Sequence, residues 1–165
     1  MNGAVLHYHF MDDPAEWKGA EGQKQVVRKA FEAWKNVGIG LSFQEVQDRN
    51  DAEIRIGFQD GDGAWSYIGR DVLDQGTDDR TMNFGWDIRA EIDTAIHEIG
   101  HTLGFPHERQ NPKAGIVWDE EAVSRALAGE PNFWSREKTF HNIISKIQPD
   151  KQNPAGLGSG LELGC

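Results

Sequence analysis

A chain of 165 residues with 38% hydrophobic and 27% charged residues can bury a real core in one domain, and it is too apolar to be disordered. Acidic residues outnumber basic ones 27 to 17, for a net charge of −10, and the Lys/Arg residues form no cluster, which excludes a phosphate-tracking nucleic-acid surface. No apolar run reaches the ~20 residues of a membrane span, and the single cysteine, Cys165, excludes an internal disulfide and a four-cysteine zinc site.

The opening MNGAVLHYHFMDDP has neither a basic region nor a long apolar stretch, so no secretion signal is expected in it. Within it, VLHYHF (residues 5–10) alternates as a strand does. EGQKQVVRKAFEAWKNVG then places Val26, Val27, Ala30, Phe31, Trp34 and Val37 at helical spacing, with Gly38 as the stop. LSFQEV and AEIRIGFQ alternate again and predict strands. Residues 60–63 (DGDG) read as a turn and 69–80 as a polar loop. TMNFGW (residues 81–86) predicts a short strand, and residues 90–103 a helix. Further on, Asp119 caps EEAVSRALA, and Ser135 caps REKTFHNIISKI with Phe140, Ile143, Ile144 and Ile147 on one stripe. The tail NPAGLGSGLELGC shows no periodicity. This order of elements predicts an α/β sandwich built on a mixed sheet.

Three of the six histidines fall in TAIHEIGHTLGFPHERQNP, at 97, 101 and 107. On a helix, His101 lies ~40° round from His97, one turn on, whereas Ile92, Ile96, Ile99 and Leu103 cluster on the opposite face. A core histidine would share the apolar face, so this pair reads as two ligands for one zinc ion. Glu98 sits ~100° from His97, beside the pair, where it suits a general base more than a ligand. His107 can reach the same ion only if the helix ends. Gly104 permits a left-handed reversal and Pro106 disfavours helix at Phe105.

HEIGHTLGFPHE resembles the extended motif HExxHxxGxxH of the metzincin zinc endopeptidases at His97, Glu98, His101, Gly104 and His107, and its continuation resembles the astacins in particular. The resemblance spans residues 5–110. It implies an α+β fold: an N-terminal lobe, 1–104, with a mixed twisted sheet, a backing helix and an active-site helix, and a mainly helical C-terminal lobe, 105–165. It also implies one catalytic Zn²⁺ on the three histidines, Glu98 as general base, and a peptide or protein substrate, with neither nucleic acid nor membrane as partner. In such enzymes a sheet edge receives the substrate as an added antiparallel strand. TMNFGW is the candidate edge, with Asn83, Phe84 and Gly85 as substrate contacts. The resemblance further matches Glu108 to a glutamate that anchors a processed amino terminus, and family members are mostly secreted.

The chain departs from the family in one respect that bears on activity. A methionine-containing turn is expected after the third histidine, but the methionines here are Met1, Met11 and Met82, and Tyr8 and Tyr67 also precede the motif. The segment therefore reads as truncated or divergent there, and the alternative function is a zinc-binding domain that no longer cleaves. A zinc hydrolase of other substrates and a metal-free interaction domain are weaker alternatives. His7, His9 and His141 read as ordinary strand and helix residues, the tryptophans 65, 86, 118 and 134 as packing, and Asp60 and Asp62 as a hydrated turn.

Overall fold

The computed structural model of the chain describes residues 3–107, 109, 111, 113–129, 133–145 and 163–164. The chain divides into two units, Met1–Phe105 with Gly158–Cys165, and Pro106–Leu157. Among the described residues, no helix is long and apolar enough to cross a membrane.

The first unit is a mixed sheet backed by helices, the α+β arrangement read from the sequence. β1 (Ala4–Phe10) is followed by α1 (Glu21–Asn36) and β2 (Leu41–Glu45); β2 lies parallel to β1, with Ala4 opposite Leu41 and Tyr8 opposite Glu45. β3 (Ile54–Gly57) flanks β1 on the other side, and β5 (Met82–Asn83) continues the parallel array beside β3. β4 (Trp65–Ser66) then runs antiparallel to β5, and β6 (Leu163–Gly164) antiparallel to β4. The resulting order is β2-β1-β3-β5-β4-β6.

α1 forms where predicted, because Val26, Val27, Ala30 and Phe31 recur at helical spacing and are all buried. Gly38, at φ 82°, reverses the chain after it. The apolar face of α1 covers the sheet: Phe31 stacks on Tyr8 of β1 with ring centroids 4.3 Å apart, and Ile54, Ile56, Met82 and Phe84 complete the same core. Burial, followed by the charge of Glu45, pushes the Tyr8 hydroxyl up to about 12, so it stays protonated at any ordinary pH.

TMNFGW is a correction. β5 pairs with β3 on one side and β4 on the other, so it is an interior strand and offers no edge to a substrate. Asn83 is fully buried, and its amide makes four hydrogen bonds within the protein. Its Oδ1 accepts from Gln59 N at 2.9 Å and Arg80 Nη1 at 2.6 Å, and its Nδ2 donates to Gln59 O at 3.2 Å and Gly63 O at 2.9 Å. Phe84 lies in the core against Phe58. A Cβ on Gly85 would come within 2.3 Å of Gly63 N. Asn83 and Gly85 fasten the 59–63 loop to the sheet, Phe84 fills the core, and all three are buried, with no surface left for a substrate.

The region 69–80, expected as a polar loop, begins with a 3-10 turn, Gly69–Asp74, anchored by buried Val72. Asp62 Oδ2, in the 60–63 turn, faces Arg80, 3.2 Å away, and accepts from Trp65 Nε1, also at 3.2 Å. His7 Nδ1 faces Glu53 at 3.3 Å and His9 Nδ1 faces Val46 O at 3.0 Å, local contacts within the strand layer.

In the second unit, α3 (Glu120–Ala128) starts on Asp119, whose carboxylate accepts from Ala122 N at 2.9 Å. α4 (Arg136–Thr139) starts on Ser135, whose hydroxyl accepts from Lys138 N at 3.1 Å. Both caps match the sequence reading. The helix after Ser135 is shorter than expected. It passes into a π-type turn, Phe140–Ile144, closed by Ser145 N donating to Phe140 O at 2.7 Å, and Ser145 is extended. Ile144 is buried while Phe140 is exposed; Ile147, Glu108 and most of the glycine-rich tail lie outside the described residues.

Candidate metal centre

α2 (Ile92–Thr102) carries the first two histidines. Its apolar stripe is oriented as the spacing predicts: Ala95 and Ile99 are fully buried in the sheet core, with Ile96 and Leu103 packed against it, although Ile92 at the first turn is exposed. The helix is docked tightly on α1. Trp34 Nε1 donates to Ile96 O at 2.9 Å, and a Cβ on Gly100 would sit 3.1 Å from the Trp34 ring. Gly100, between Ile99 and His101 in the motif, is therefore what allows the indole to lie flat on the helix.

The helix ends in a Schellman motif. Gly104 N donates to His101 O at 2.8 Å and Phe105 N donates to Gly100 O at 3.0 Å, with Gly104 at φ 95°. Phe105 then stacks on Trp34 of α1, centroids 5.5 Å apart and planes within 12°. Its carbonyl points back at the helix, and His101 Nδ1 lies 2.7 Å from it. A carbonyl can only accept, so His101 Nδ1 bears the proton and Nε2 keeps its lone pair for a metal. Phe105 was not singled out from the sequence. A helix C-terminus one turn after a ligand was the available clue.

His97 Nε2 and His101 Nε2 are 3.0 Å apart, their rings nearly perpendicular. His101 and His107 are 2% and 5% exposed, and His97 is the most open of the three. Each offers one ring nitrogen, and these nitrogens all lie within 4.8 Å of one another. Nitrogens bound tetrahedrally at ~2.0–2.1 Å from zinc stand ~3.3–3.4 Å apart, so small ring rotations suffice. Three neutral imidazoles with a fourth position left over are a donor set that zinc accepts, and the locked His101 tautomer fits it. Arg109 Nη2 lies 3.0 Å from His107 Nδ1. A guanidinium only donates, so this contact must relax before His107 can ligate through Nε2 with its proton on Nδ1.

Glu98, next to His97 in the helix, is fully buried. A carboxylate taken out of water is costly unless its charge is used or compensated. The turn itself is testable. A side chain at position 104 would find open space, its nearest neighbour being Gly69 Cα at 4.0 Å, so Gly104→Ala is opposed by backbone conformation and not by a clash. The expected cost is about 1–2 kcal/mol in chemical denaturation, with weaker zinc binding; a neutral result would mean the reversal does not depend on positive φ.

Residues 7–126 match the family model described as Astacin, a peptidase family. The chain is 29% identical over 97 residues to Protein SpAN of Strongylocentrotus purpuratus, covering 56% of this chain and 15% of that protein. It is 36% identical over 118 residues to zinc metalloproteinase nas-36 of Haemonchus contortus, covering 71% and 18% respectively. Both relatives are thus several times longer than the part they share with this chain. Among solved structures, myroilysin superposes with a TM-score of 0.79 at 31% identity, covering 90% of this chain and 71% of that one. High choriolytic enzyme 1, a hatching enzyme zinc-protease from Oryzias latipes, shares the fold at a TM-score of 0.54 and 17% identity, covering 92% of this chain and 63% of that one.

Proposed function

The chain belongs to the astacin family of peptidases, and from that premise we propose that it is a zinc-dependent endopeptidase acting on peptide or protein substrates. His97, His101 and His107 hold one zinc ion, and Glu98 is the general base. One observation carries the reading: the helix stops at Gly104, and three imidazole nitrogens come within 4.8 Å of one another. Bound there, zinc supplies Lewis acidity toward a carbonyl oxygen and lowers the pKa of a water. The Glu98 carboxylate accepts a proton from the attacking water and hands it to the leaving amine. Its burial keeps bulk water from taking that proton instead. Phe105 O holds the His101 Nδ1 proton throughout, so the ring neither flips nor changes tautomer.

Purified protein is expected to contain one zinc per chain and to hydrolyse casein, with hydrolysis lost on chelation and restored by added zinc. Casein hydrolysis that persists without metal would refute the assignment. One observation favours a second reading, a zinc-binding member that does not cleave: all three methionines, Met1, Met11 and Met82, precede His107. Full zinc occupancy with no hydrolysis under any condition is what that reading expects.

A further inference from the structure

β4 is paired on both sides. β5 holds one edge, and β6 lies antiparallel along the other, with Gly164 opposite Trp65 and Leu163 opposite Ser66. Without β6, β4 would be the outer strand of the sheet, with backbone donors and acceptors turned outward as a template for any extended chain. This edge is tied to the histidine helix. Ser66 Oγ and Thr102 Oγ1, both buried, are 2.8 Å apart, and Thr102 directly follows His101. A strand laid on β4 is therefore held in a fixed relation to His101. Strand addition draws its affinity from main-chain hydrogen bonds and accepts many sequences.

We propose that residues Leu163–Gly164 occupy the peptide-docking edge of β4, so that the chain competes with its own substrate. The proposal rests on the peptidase reading above and adds to it the occupant of the edge. A segment of the same chain competes intramolecularly, at an effective concentration on the order of millimolar for short linkers, while a two-residue pairing is weak, so the segment blocks the edge part of the time. Blocking raises the apparent dissociation constant of an incoming peptide by the inverse of the open fraction.

The test is the double variant Leu163→Pro/Gly164→Pro, which has no backbone N–H to give β4 at either position. It is made in the Glu98→Gln background so that bound peptide survives. The probe is a fluorescein-labelled peptide copying residues 160–164, Gly-Leu-Glu-Leu-Gly, read by anisotropy. The double variant should bind it about three- to tenfold more tightly than its parent; equal affinities, or no binding to either protein, overturn the proposal. A measurement on the unsubstituted chain needs no variant. Saturating probe should speed amide exchange at Gly164 while Trp65 and Ser66 stay protected, and unchanged exchange at Gly164 overturns it. With Glu98 intact, the double proline variant should lower KM for a fluorogenic peptide and leave kcat alone; a fall in kcat would instead make the segment part of the site. Zinc content on the same samples separates the two readings, because protein without zinc fails as a zinc peptidase while the anisotropy comparison still decides who occupies β4.

Discussion

Glu98→Gln is expected to lower proteolysis by about 10²–10⁴-fold while zinc content stays at the parent level. The carboxylate lies one residue from His97 and about a quarter turn round the helix from it, so it is close to the pair without being one of the three clustered histidines. Glutamine keeps the volume and removes the ability to accept a proton. A structural role for Glu98 predicts something different. Glutamine is isosteric in this fully buried position, so a proton carrier predicts an unchanged melting temperature for the zinc-free protein. Loss of activity with normal zinc and normal stability marks a proton carrier. Loss of all three together would mean that Glu98 props up the helix, and retention of full activity would end its assignment as base.

The parts of this molecule that were legible in the sequence are those whose determinants are local. Val26, Val27, Ala30 and Phe31 define α1 by spacing alone, and Asp119 and Ser135 cap the helices they precede because a cap bonds within three residues. The histidine cluster was legible for the same reason: a four-residue gap on a helix, then a glycine that can take φ 95°, are instructions read within eleven residues of chain. What escaped depends on distant partners. β4 and β6 are two residues each, below any periodicity, and exist only through pairing with strands distant in sequence, β4 with β5 and β6, and β6 with β4. Missing β4 made β5 look like an edge, and Asn83 like a substrate contact. Of the three partners that consume the Asn83 amide, Arg80 is local, but Gln59 and Gly63 lie 24 and 20 residues away in sequence. The helical wheel gave Glu98 an azimuth but could not say that the surrounding structure would close over it.

His101→Ala tests the geometry most severely, because three roles converge on this ring. It is a proposed ligand, its Nδ1 serves Phe105 O at 2.7 Å, and at 2% exposure it fills space beside the core. Losing the ring should cost about 2–4 kcal/mol from the cavity and about 1 kcal/mol more from the orphaned carbonyl. The decisive readout is linkage to metal. A ligand that binds only the folded state stabilises it by about 4 kcal/mol at a thousandfold excess over its dissociation constant, or about 8–16 °C of melting temperature in a chain of this size. The parent should therefore melt lower after chelation, whereas the variant should melt at the same temperature with zinc and without. His9→Ala supplies the control: its ring bonds to Val46 O in the strand layer, so the zinc-dependent shift should survive intact. A full shift in His101→Ala would place the ion elsewhere. Equal melting of the parent with and without zinc would remove metal from the account of its folding. Only the pattern of a large shift in the parent and in His9→Ala, absent from His101→Ala, ties stability to an ion held where the helix ends.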